Sequence, residues 1–312
     1  MIKNKKILVT GATGQVARPI AESLAKDNEV WCAARFSEPE LRKELDALGI
    51  KTFVWSLGSD DFRGLPKDFT YVIHSACNIF PVANDYDAAI TSNAEGTGLL
   101  MSHCRTAEAF LYISSLCVYQ TPDDTRNLCG ERTSALGSHP VYAPSYSTGK
   151  ISTEAVVRSL ARVLPLPSII CRLGMAYGTA GHGGVPSITF KKMLAGEPIR
   201  MPSKQYFYSP IHEDDVLAHV EPLLNAATIP VPIVNWSSDE LVNERDMYDY
   251  IGKVSGIKPN IIIDDVGGYA GGGVGDPAGR KAITGSTKVS WKQGYLKSLR
   301  ANFPNHKFVD AD

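Results

Sequence analysis

Short apolar runs alternate with helical patterns along the first two thirds of the chain. Each run is nearly continuous in apolar residues and only a few residues long, which is typical of strands buried on both faces. We predict strands at Lys6–Thr10, Val30–Ala34, Thr52–Trp55, Tyr71–Ser75, Phe110–Ser114, Ser168–Leu173 and Val231–Asn235. Helices are predicted near residues 15–26, 38–48, 85–104 and 145–163. This alternation predicts an α/β fold in which helices cover both faces of a parallel sheet.

The pattern changes after Gly178, because residues 179–210 and 236–312 are richer in Gly and Pro and mix short helices with loops. We therefore predict a sheet domain from residues 1–178, to which residues 211–235 also contribute. Residues 179–312 mainly form a smaller C-terminal lobe over the ligand edge of the sheet. The glycine-rich stretch 267–275 is followed by Asp276-Pro277, where a phosphate loop would need the start of a helix, so we predict a mobile loop there instead.

Composition excludes several classes of partner. The net charge of the 312 residues is −1, so nothing favours binding to nucleic acid or to an anionic membrane surface. The apolar run after the basic start is too short for a signal peptide or a membrane span. The six cysteines are scattered without a Cys-x-x-Cys pair, which is typical of free thiols in a reducing cytosol. We expect a cytoplasmic protein that acts on a small molecule.

A glycine loop follows the first strand directly and begins a helix, with the sequence Gly11-Ala12-Thr13-Gly14-Gln15-Val16-Ala17. Gly11 permits a tight turn, Gly14 lets the backbone approach a pyrophosphate, and the small Ala17 lets the helix pack closely on the strand. Amide groups at the start of the helix attract the diphosphate. The loop therefore predicts a Rossmann-type, doubly wound sheet, with a dinucleotide bound by Gly11, Thr13, Gly14, Gln15 and Val16.

The end of the second strand indicates which dinucleotide is bound. The strand ends in Ala33-Ala34-Arg35, where an NAD-specific site usually has Asp or Glu as acceptor for the ribose 2′-hydroxyl. A guanidinium at this point suits a 2′-phosphate. We predict NADP as the cofactor, with NAD as the alternative, since a solvated surface arginine would give the same pattern.

Tyr146 and Lys150 lie one helical turn apart and share a face of the predicted helix 145–163. A free phenol ionises near pH 10, too high for a base at neutral pH. A neighbouring ammonium and the positive charge of an oxidised nicotinamide would lower that pKa. Tyr146 is therefore our candidate general acid and base for hydride transfer at a carbonyl or alcohol carbon.

Two further polar groups fall near the same edge. Ser114-Ser115 closes the strand that begins at Phe110, so either hydroxyl is a candidate to hydrogen-bond a substrate oxygen. Asn93 lies in the helix that precedes this strand. The alternative for Asn93 is an amide that only satisfies backbone groups.

With these motifs in place, the chain resembles the extended short-chain dehydrogenase/reductase family, epimerase/dehydratase-like, across nearly its full length. The matching segments are Thr10-Gly11-Ala12-Thr13-Gly14, Val72-Ile73-His74-Ser75-Ala76, Asn93-Ala94-Glu95-Gly96-Thr97, Ile113-Ser114-Ser115-Leu116-Cys117-Val118-Tyr119, Tyr146 to Lys150, Arg172 with Tyr177-Gly178, and Ile211-His212-Glu213-Asp214-Asp215-Val216.

The resemblance implies a catalytic tetrad of Asn93, Ser115, Tyr146 and Lys150. It favours Ser115 over Ser114, because the family's serine lies four residues before the tyrosine that is Tyr119 here. It implies that Ala76, Tyr146 and Lys150 contact the cofactor, and that Asn93 helps hold a water that relays protons to Lys150. It also implies a homodimer formed through helices 85–104 and 145–163.

The substrate is less clear, because two diphosphate contacts of nucleotide-sugar enzymes in this family have no counterpart here. Met175 stands where those relatives carry Asn, and the segment that holds Tyr208 is aromatic where they carry Arg. We expect Met175, Tyr208 and Ser115 to contact a less charged, partly apolar substrate. His182 is a further candidate at the substrate mouth, with an exposed loop histidine as the alternative.

Four hypotheses remain open. The first is an NADP-dependent oxidoreductase of the carbonyl reductase or alcohol dehydrogenase type. The others are a nucleotide-sugar epimerase or dehydratase, a thioester reductase, and a non-catalytic regulator that senses NADP. No metal is expected, because helix capping explains the acidic residues after His212.

Overall fold

A computed structural model of the protein describes residues 2–265 and 273–311; residues 267–272 of the glycine-rich stretch lie outside the described residues. The strands are numbered in chain order. They are β1 Lys6–Thr10, β2 Glu29–Ala34, β3 Lys51–Val54, β4 Tyr71–His74, β5 Ala109–Ser115, β6 Leu128–Cys129, β7 Ser168–Leu173, β8 Ala176–Tyr177, β9 Ile199–Met201, β10 Phe207–Tyr208, β11 Ile211–His212, β12 Ile233–Trp236, β13 Val242–Asn243, β14 Ile261–Ile263 and β15 Val274–Gly275.

The helices are also numbered in chain order. They are α1 Ala17–Leu24, α2 Pro39–Ala47, α3 Tyr86–Ala89, α4 Gly96–His103, α5 Tyr146–Val163, α6 Gly184–Leu194, α7 Glu213–Asn225, α8 Glu244–Ser255, α9 Ala278–Thr284 and α10 Trp291–Asn302. Short 3₁₀ turns lie at Phe80–Val82 and Leu116–Val118, and a π-helical turn at Ile90–Glu95 joins α3 to α4.

Among the described residues, the central sheet has seven parallel strands in the order β3-β2-β1-β4-β5-β7-β12. The Rossmann-type α/β fold predicted from the sequence is confirmed. The order reverses between β1 and β4, so a crevice opens beyond their carboxyl ends. Residues 211–236 supply the last strand of this sheet, β12, together with helix α7.

Alternation along each strand produces two apolar cores, one on each face of the sheet. On β1, Ile7 and Val9 pack on one face with side chains of α1, α2 and α7, whereas Leu8 packs on the other with side chains of α4 and α5. A third core, which includes Phe190, Met247 and Tyr295, holds α6, α8 and α10 of the C-terminal lobe together. In the part of the chain that the structure describes, no helix combines the length and apolarity needed to span a membrane.

Candidate functional site

The glycine loop forms the turn between β1 and α1 that the sequence predicts. Gly11 has a φ of +72°, and a Cβ atom there would lie 2.9 Å from the backbone of Ala76, at the end of the neighbouring strand β4. The Gly11 amide donates to Ala33 O, and the Gly14 amide donates to Gly11 O, each at 2.9 Å. Only a residue without a side chain fits this turn, which keeps the backbone open to a ligand.

A cleft of about 430 Å³ lies over this loop, and it is called the dinucleotide cleft below after the ligand that the sequence predicts for it. Seven of the nine predicted cofactor residues line it, namely Gly11, Thr13, Gly14, Gln15, Val16, Arg35 and Ala76, whereas Tyr146 and Lys150 are not among its lining residues. The other lining residues are Ala33, Ala34, Trp55, Leu57, Ser75, Cys77, Asn78, Ile79, Leu173, Gly174, Ala176 and His182. No carboxylate is present among these described lining residues, so the ribose acceptor of an NAD-specific site has no counterpart on the wall of the cleft.

The charges around the cleft single out one arginine. Arg35 is exposed on the cleft wall at the end of β2. Arg18 on α1, by contrast, is held by Glu22 at 2.8 Å and Glu44 at 2.7 Å. The side chain of Gln15 is also engaged, since its Nε2 donates to Ala176 O at 2.8 Å. Arg35 is thus an exposed cation on the wall of the cleft.

A second cavity, of about 540 Å³, opens beyond the end of β5, and it is called the substrate cavity below because it is lined by residues predicted to contact the substrate. Ser115 and Tyr146 line it, and so do Met175 and Tyr208, whereas His182 lies in the dinucleotide cleft. Its remaining lining residues are Leu116, Cys117, Tyr119, Gln120, Thr121, Ser138, His139, Pro140, Tyr142, Leu173, Gly174, Val185 and Gly273. Leu173 and Gly174 belong to both cavities, so the two spaces meet at the end of β7.

The two adjacent serines have different surroundings. Ser114 Oγ is buried and donates to Glu154 Oε1 at 2.6 Å, so it lies in the interior. Ser115 Oγ accepts from the Cys117 amide at 3.1 Å and lines the substrate cavity. The Ser115 hydroxyl also carries a proton of its own, and it is hydrogen-bonded with Tyr146. The hydroxyl that reaches the cavity is therefore that of Ser115.

Glu154 also forms a buried ion pair that braces this region. Arg172 Nε and Nη2 donate to the two Glu154 oxygens at 2.9 and 2.6 Å, and Arg172 Nη1 donates to Tyr119 Oη at 2.8 Å. Tyr119 Oη in turn donates to Asn235 Oδ1 at 2.7 Å. Together with the hydrogen bonds of Ser114, Tyr119 and Asn235, the ion pair connects β5, α5, β7 and β12 beside the substrate cavity.

Lys150 is buried beneath Tyr146 on α5. Its Nζ donates to the Ile113 carbonyl at 2.8 Å and lies 5.9 Å from the centroid of the Tyr146 ring. Burial and the neighbouring Cys77 and Cys117 thiols raise the pKa of the Tyr146 phenol well above its ordinary value, while a hydrogen bond with Ser115 acts in the opposite direction. The protein groups alone therefore do not give the lowered pKa expected from the sequence; they keep the phenol protonated.

Asn93 lies on the π-helical turn, whose wider winding interrupts the helix predicted at 85–104. Its Oδ1 accepts from the Asn78 amide at 2.8 Å, and its Nδ2 donates to Asn78 O at 3.1 Å and to Ala89 O at 2.9 Å. The amide thus clamps a residue of the cleft wall. Asn93, a predicted member of the catalytic tetrad, thus satisfies backbone groups, which is the alternative that the sequence left open. Ser114, the serine that the resemblance disfavours, donates to the buried Glu154 carboxylate.

Sequence reasoning missed three residues around Tyr146. Cys77 lines the cleft, Cys117 lines the substrate cavity, and Tyr142 Oη lies 3.8 Å from Cys117 Sγ. Cys77 follows β4 and Cys117 follows β5, and their positions beyond the ends of strands are a signal that could have found them.

His212 Nδ1 accepts from the Asp214 amide at 3.1 Å and caps α7. Among the described residues, no three potential metal ligands form a group.

The model of the NAD dependent epimerase/dehydratase family matches residues 7–219. No curated protein matches the chain.

Several solved structures share the fold. The UDP-glucuronic acid 4-epimerase from Bacillus cereus, in complex with UDP-glucuronic acid and NAD, is 20% identical with a TM-score of 0.81, over 96% of this chain and 100% of that chain. The UDP-glucose 4-epimerase from Thermotoga maritima, with UDP-glucose, is 18% identical with a TM-score of 0.80, over 96% and 99%. The Bordetella bronchiseptica enzyme WbmG, in complex with NAD, is 18% identical with a TM-score of 0.81, over 97% and 95%. Since the family model covers more than half of this chain, the chain belongs to the NAD-dependent epimerase/dehydratase family.

Proposed function

We propose that the protein catalyses NADP-dependent hydride transfer to or from a small, uncharged carbonyl or alcohol substrate. The observation that carries the proposal is that two cavities, one of them lined by Tyr146, meet at the end of β7. One cavity is lined by the glycine loop and Arg35, and the other is lined by Tyr146 and Ser115. A dinucleotide in the first and a substrate in the second would present their reactive ends to the same phenol.

The cleft fits a dinucleotide, because Gly11 keeps the backbone close to β4 and open above the loop. When bound, NADPH supplies a hydride. Tyr146 Oη donates its proton to the substrate carbonyl oxygen, and Ser115 Oγ donates a hydrogen bond to the same oxygen. The hydride at carbon and the Tyr146 proton at oxygen would together convert the carbonyl to an alcohol, and the phenolate left on Tyr146 would take up a proton from solvent before the next turnover. The raised pKa of Tyr146 supports this direction, since the phenol holds the proton that the reduction consumes.

Two features support the finer assignments. Arg35 on the cleft wall, without a carboxylate among the described lining residues, favours NADP over NAD. In the substrate cavity, no Lys, Arg, Asp or Glu is present among the described lining residues, and the apolar and aromatic side chains include Met175 and Tyr208. A diphosphate in this cavity would lose its hydrating water, and none of these described lining residues would offer a cationic side chain to compensate.

The second candidate is a nucleotide-sugar epimerase or dehydratase, and the comparisons favour it. The fold neighbours carry UDP-sugars and NAD in their complexes, and their folds match this chain over nearly its whole length. Epimerisation uses the same hydride and proton transfers at a C–OH carbon. The two candidates differ in whether a charged nucleotide occupies the cavity and whether the cofactor is consumed.

The deciding experiment offers both kinds of substrate to the same enzyme. NADPH oxidation is followed with a panel of uncharged aliphatic and aromatic aldehydes and ketones. In parallel, UDP-glucose and UDP-glucuronic acid are incubated with the enzyme and NAD, and epimers are sought by chromatography. We expect cofactor oxidation with members of the carbonyl panel and no epimer. Epimer formation without net cofactor consumption would replace the proposal by the second candidate.

A further inference from the structure

His74, at the end of β4, is fully buried and hydrogen-bonded through both ring nitrogens. Nδ1 lies 2.7 Å from Thr10 Oγ1, and Nε2 lies 2.8 Å from Thr97 Oγ1. The ring also lies against Phe110 and Tyr112 on β5. Thr10 immediately precedes the glycine loop, and Thr97 lies on α4, so the histidine connects the end of β1 with α4.

The direction of these hydrogen bonds follows from counting protons. Thr10 Oγ1 accepts from the Ser75 and Ala76 amides, each at 3.2 Å, so its single proton is the one that it donates to Nδ1. Nδ1 is then an acceptor, and Nε2 carries the ring proton and donates to Thr97 Oγ1. Thr97 Oγ1 donates in turn to Asn93 O at 2.6 Å. The pattern is satisfied by one neutral tautomer.

The surroundings favour that neutral ring. Burial lowers the pKa of His74 to about 3, and the positive charge of Lys150, on the neighbouring helix α5, acts in the same direction. A protonated ring would also direct an N–H from Nδ1 at the hydroxyl of Thr10, whose proton already points at that nitrogen. Protonation would therefore break the hydrogen bond that begins the chain.

Both ends of this hydrogen-bonded chain reach the dinucleotide cleft. At one end, Thr10 holds the amides of Ser75 and Ala76, which line the cleft. At the other end, Asn93 clamps the backbone of Asn78, which also lines the cleft. Residues 75–78 are therefore held by hydrogen bonds at both ends of the segment, from Thr10 and from Asn93. His74 connects these two groups through Thr97.

We propose that His74 is a positioning residue, which as a neutral Nε2–H tautomer fixes segment 75–78 and the Asn93 turn relative to the glycine loop. In this way it sets the floor of the cleft beside Lys150. The consequence for turnover rests on the proposed hydride transfer, whereas the tautomer and its effect on cofactor affinity do not.

The tautomer is tested directly by NMR of the full chain labelled with ¹⁵N-histidine, in which two-bond ¹H–¹⁵N correlations identify the protonated nitrogen. The chain has seven histidines. The His74 signals are assigned as those that Thr97→Val displaces. We expect the Nε2–H tautomer, unchanged across about pH 5 to pH 8, the range in which ordinary histidines titrate. An Nδ1–H tautomer, or titration near the ordinary value, would overturn the proposal.

The link to the cleft is tested with a matched pair, Thr97→Val and Thr97→Ser. Valine keeps the shape of the side chain but removes the hydroxyl between His74 and Asn93, whereas serine keeps the hydroxyl. We expect Thr97→Val to weaken NADPH affinity and to lower kcat about ten- to hundredfold, with a smaller change in KM for the carbonyl substrate. Thr97→Ser should retain most of the wild-type NADPH affinity and most of the wild-type kcat.

The outcomes separate the two proposals. Circular dichroism and thermal unfolding establish that each variant is folded. A folded Thr97→Val variant with wild-type NADPH affinity contradicts the positioning role, whatever its turnover. If the wild type reduces no carbonyl compound, the proposed function fails, but the tautomer and the affinities still decide the role of His74. If Thr97→Val does not fold, the wild-type titration and the Thr97→Ser spectrum decide it.

Discussion

Replacement of Arg35 by alanine tests the cofactor assignment. Arg35 is exposed on the wall of the dinucleotide cleft, at the end of the second strand of the sheet. A charge-assisted hydrogen bond contributes about 1.5–3 kcal/mol, which corresponds to about 10- to 150-fold in affinity. Because solvent weakens a contact at an exposed site, we expect Arg35→Ala to weaken NADPH binding by about tenfold, near the lower end. NADH has no 2′-phosphate, so its affinity should change by less than about twofold.

The measurement is a fluorescence titration of wild type and variant with each cofactor. Trp55 lines the same cleft, so quenching of tryptophan emission reports binding. Arg42→Ala is the matched control: Arg42 is also exposed, but it does not line the cleft, and its Nε donates to Thr52 Oγ1 at 2.9 Å. Arg42→Ala should leave the affinities for NADPH and for NADH unchanged. Equal losses for NADPH and NADH in Arg35→Ala, or a wild type that prefers NADH, would refute the reasoning.

Two further predictions concern the groups behind and within the catalytic site. Glu154→Gln leaves the Arg172 guanidinium, only 2% exposed, without its charge partner, so urea denaturation should show a loss of about 3–5 kcal/mol in the free energy of unfolding. Glu40→Gln removes an exposed pair with Lys43 and should cost less than about 0.5 kcal/mol; similar losses in the two variants would contradict the account. The raised pKa of Tyr146 keeps its phenol protonated to higher pH, so kcat/KM for carbonyl reduction should stay level through neutral pH and fall only above about pH 10. A pH profile of kcat/KM at saturating NADPH checks this, and a Tyr146-dependent fall centred below about pH 8 would contradict it.

The central sheet follows closely from the sequence. Each of its strands was predicted within two residues at either end, because short, nearly continuous apolar runs between turn residues are typical of buried strands. The partly exposed edge strand β3 is the least buried of them. The turn at Gly11 was predictable for a similar reason, since a left-handed φ beside a neighbouring strand requires glycine. These features depend on local pattern alone.

Features that depend on tertiary contacts were not predictable in the same way. The π-helical turn at Ile90–Glu95 has no distinctive local composition, and it accompanies the clamp between Asn93 and Asn78. The short paired strands of the C-terminal lobe, such as Phe207–Tyr208 with Val242–Asn243, read as loops because two residues carry no periodicity. His182 was expected near the substrate, but it lies in the dinucleotide cleft, because loop 178–183 folds back towards Gln15.

The electrostatic prediction for Tyr146 shows a further limit. Sequence spacing places Lys150 one turn away and suggests a lowered pKa. It does not show that the Ile113 carbonyl takes a hydrogen bond from the ammonium, or that two thiols lie near the phenol. Burial then dominates and raises the pKa. Spacing in the sequence predicts which groups are neighbours. The direction of a pKa shift also depends on their burial and on their hydrogen-bond partners, which only the structure shows.

Hydride transfer through Tyr146 is tested most directly by Tyr146→Phe, which removes the titrating oxygen and keeps the ring. The measurement is the rate of NADPH oxidation with the best carbonyl substrate of the panel, together with NADPH affinity for wild type and variant. We predict that kcat falls by about 10²- to 10⁴-fold while NADPH affinity changes by less than about twofold. A variant that binds NADPH normally and turns over at a rate close to that of the wild type would contradict the account.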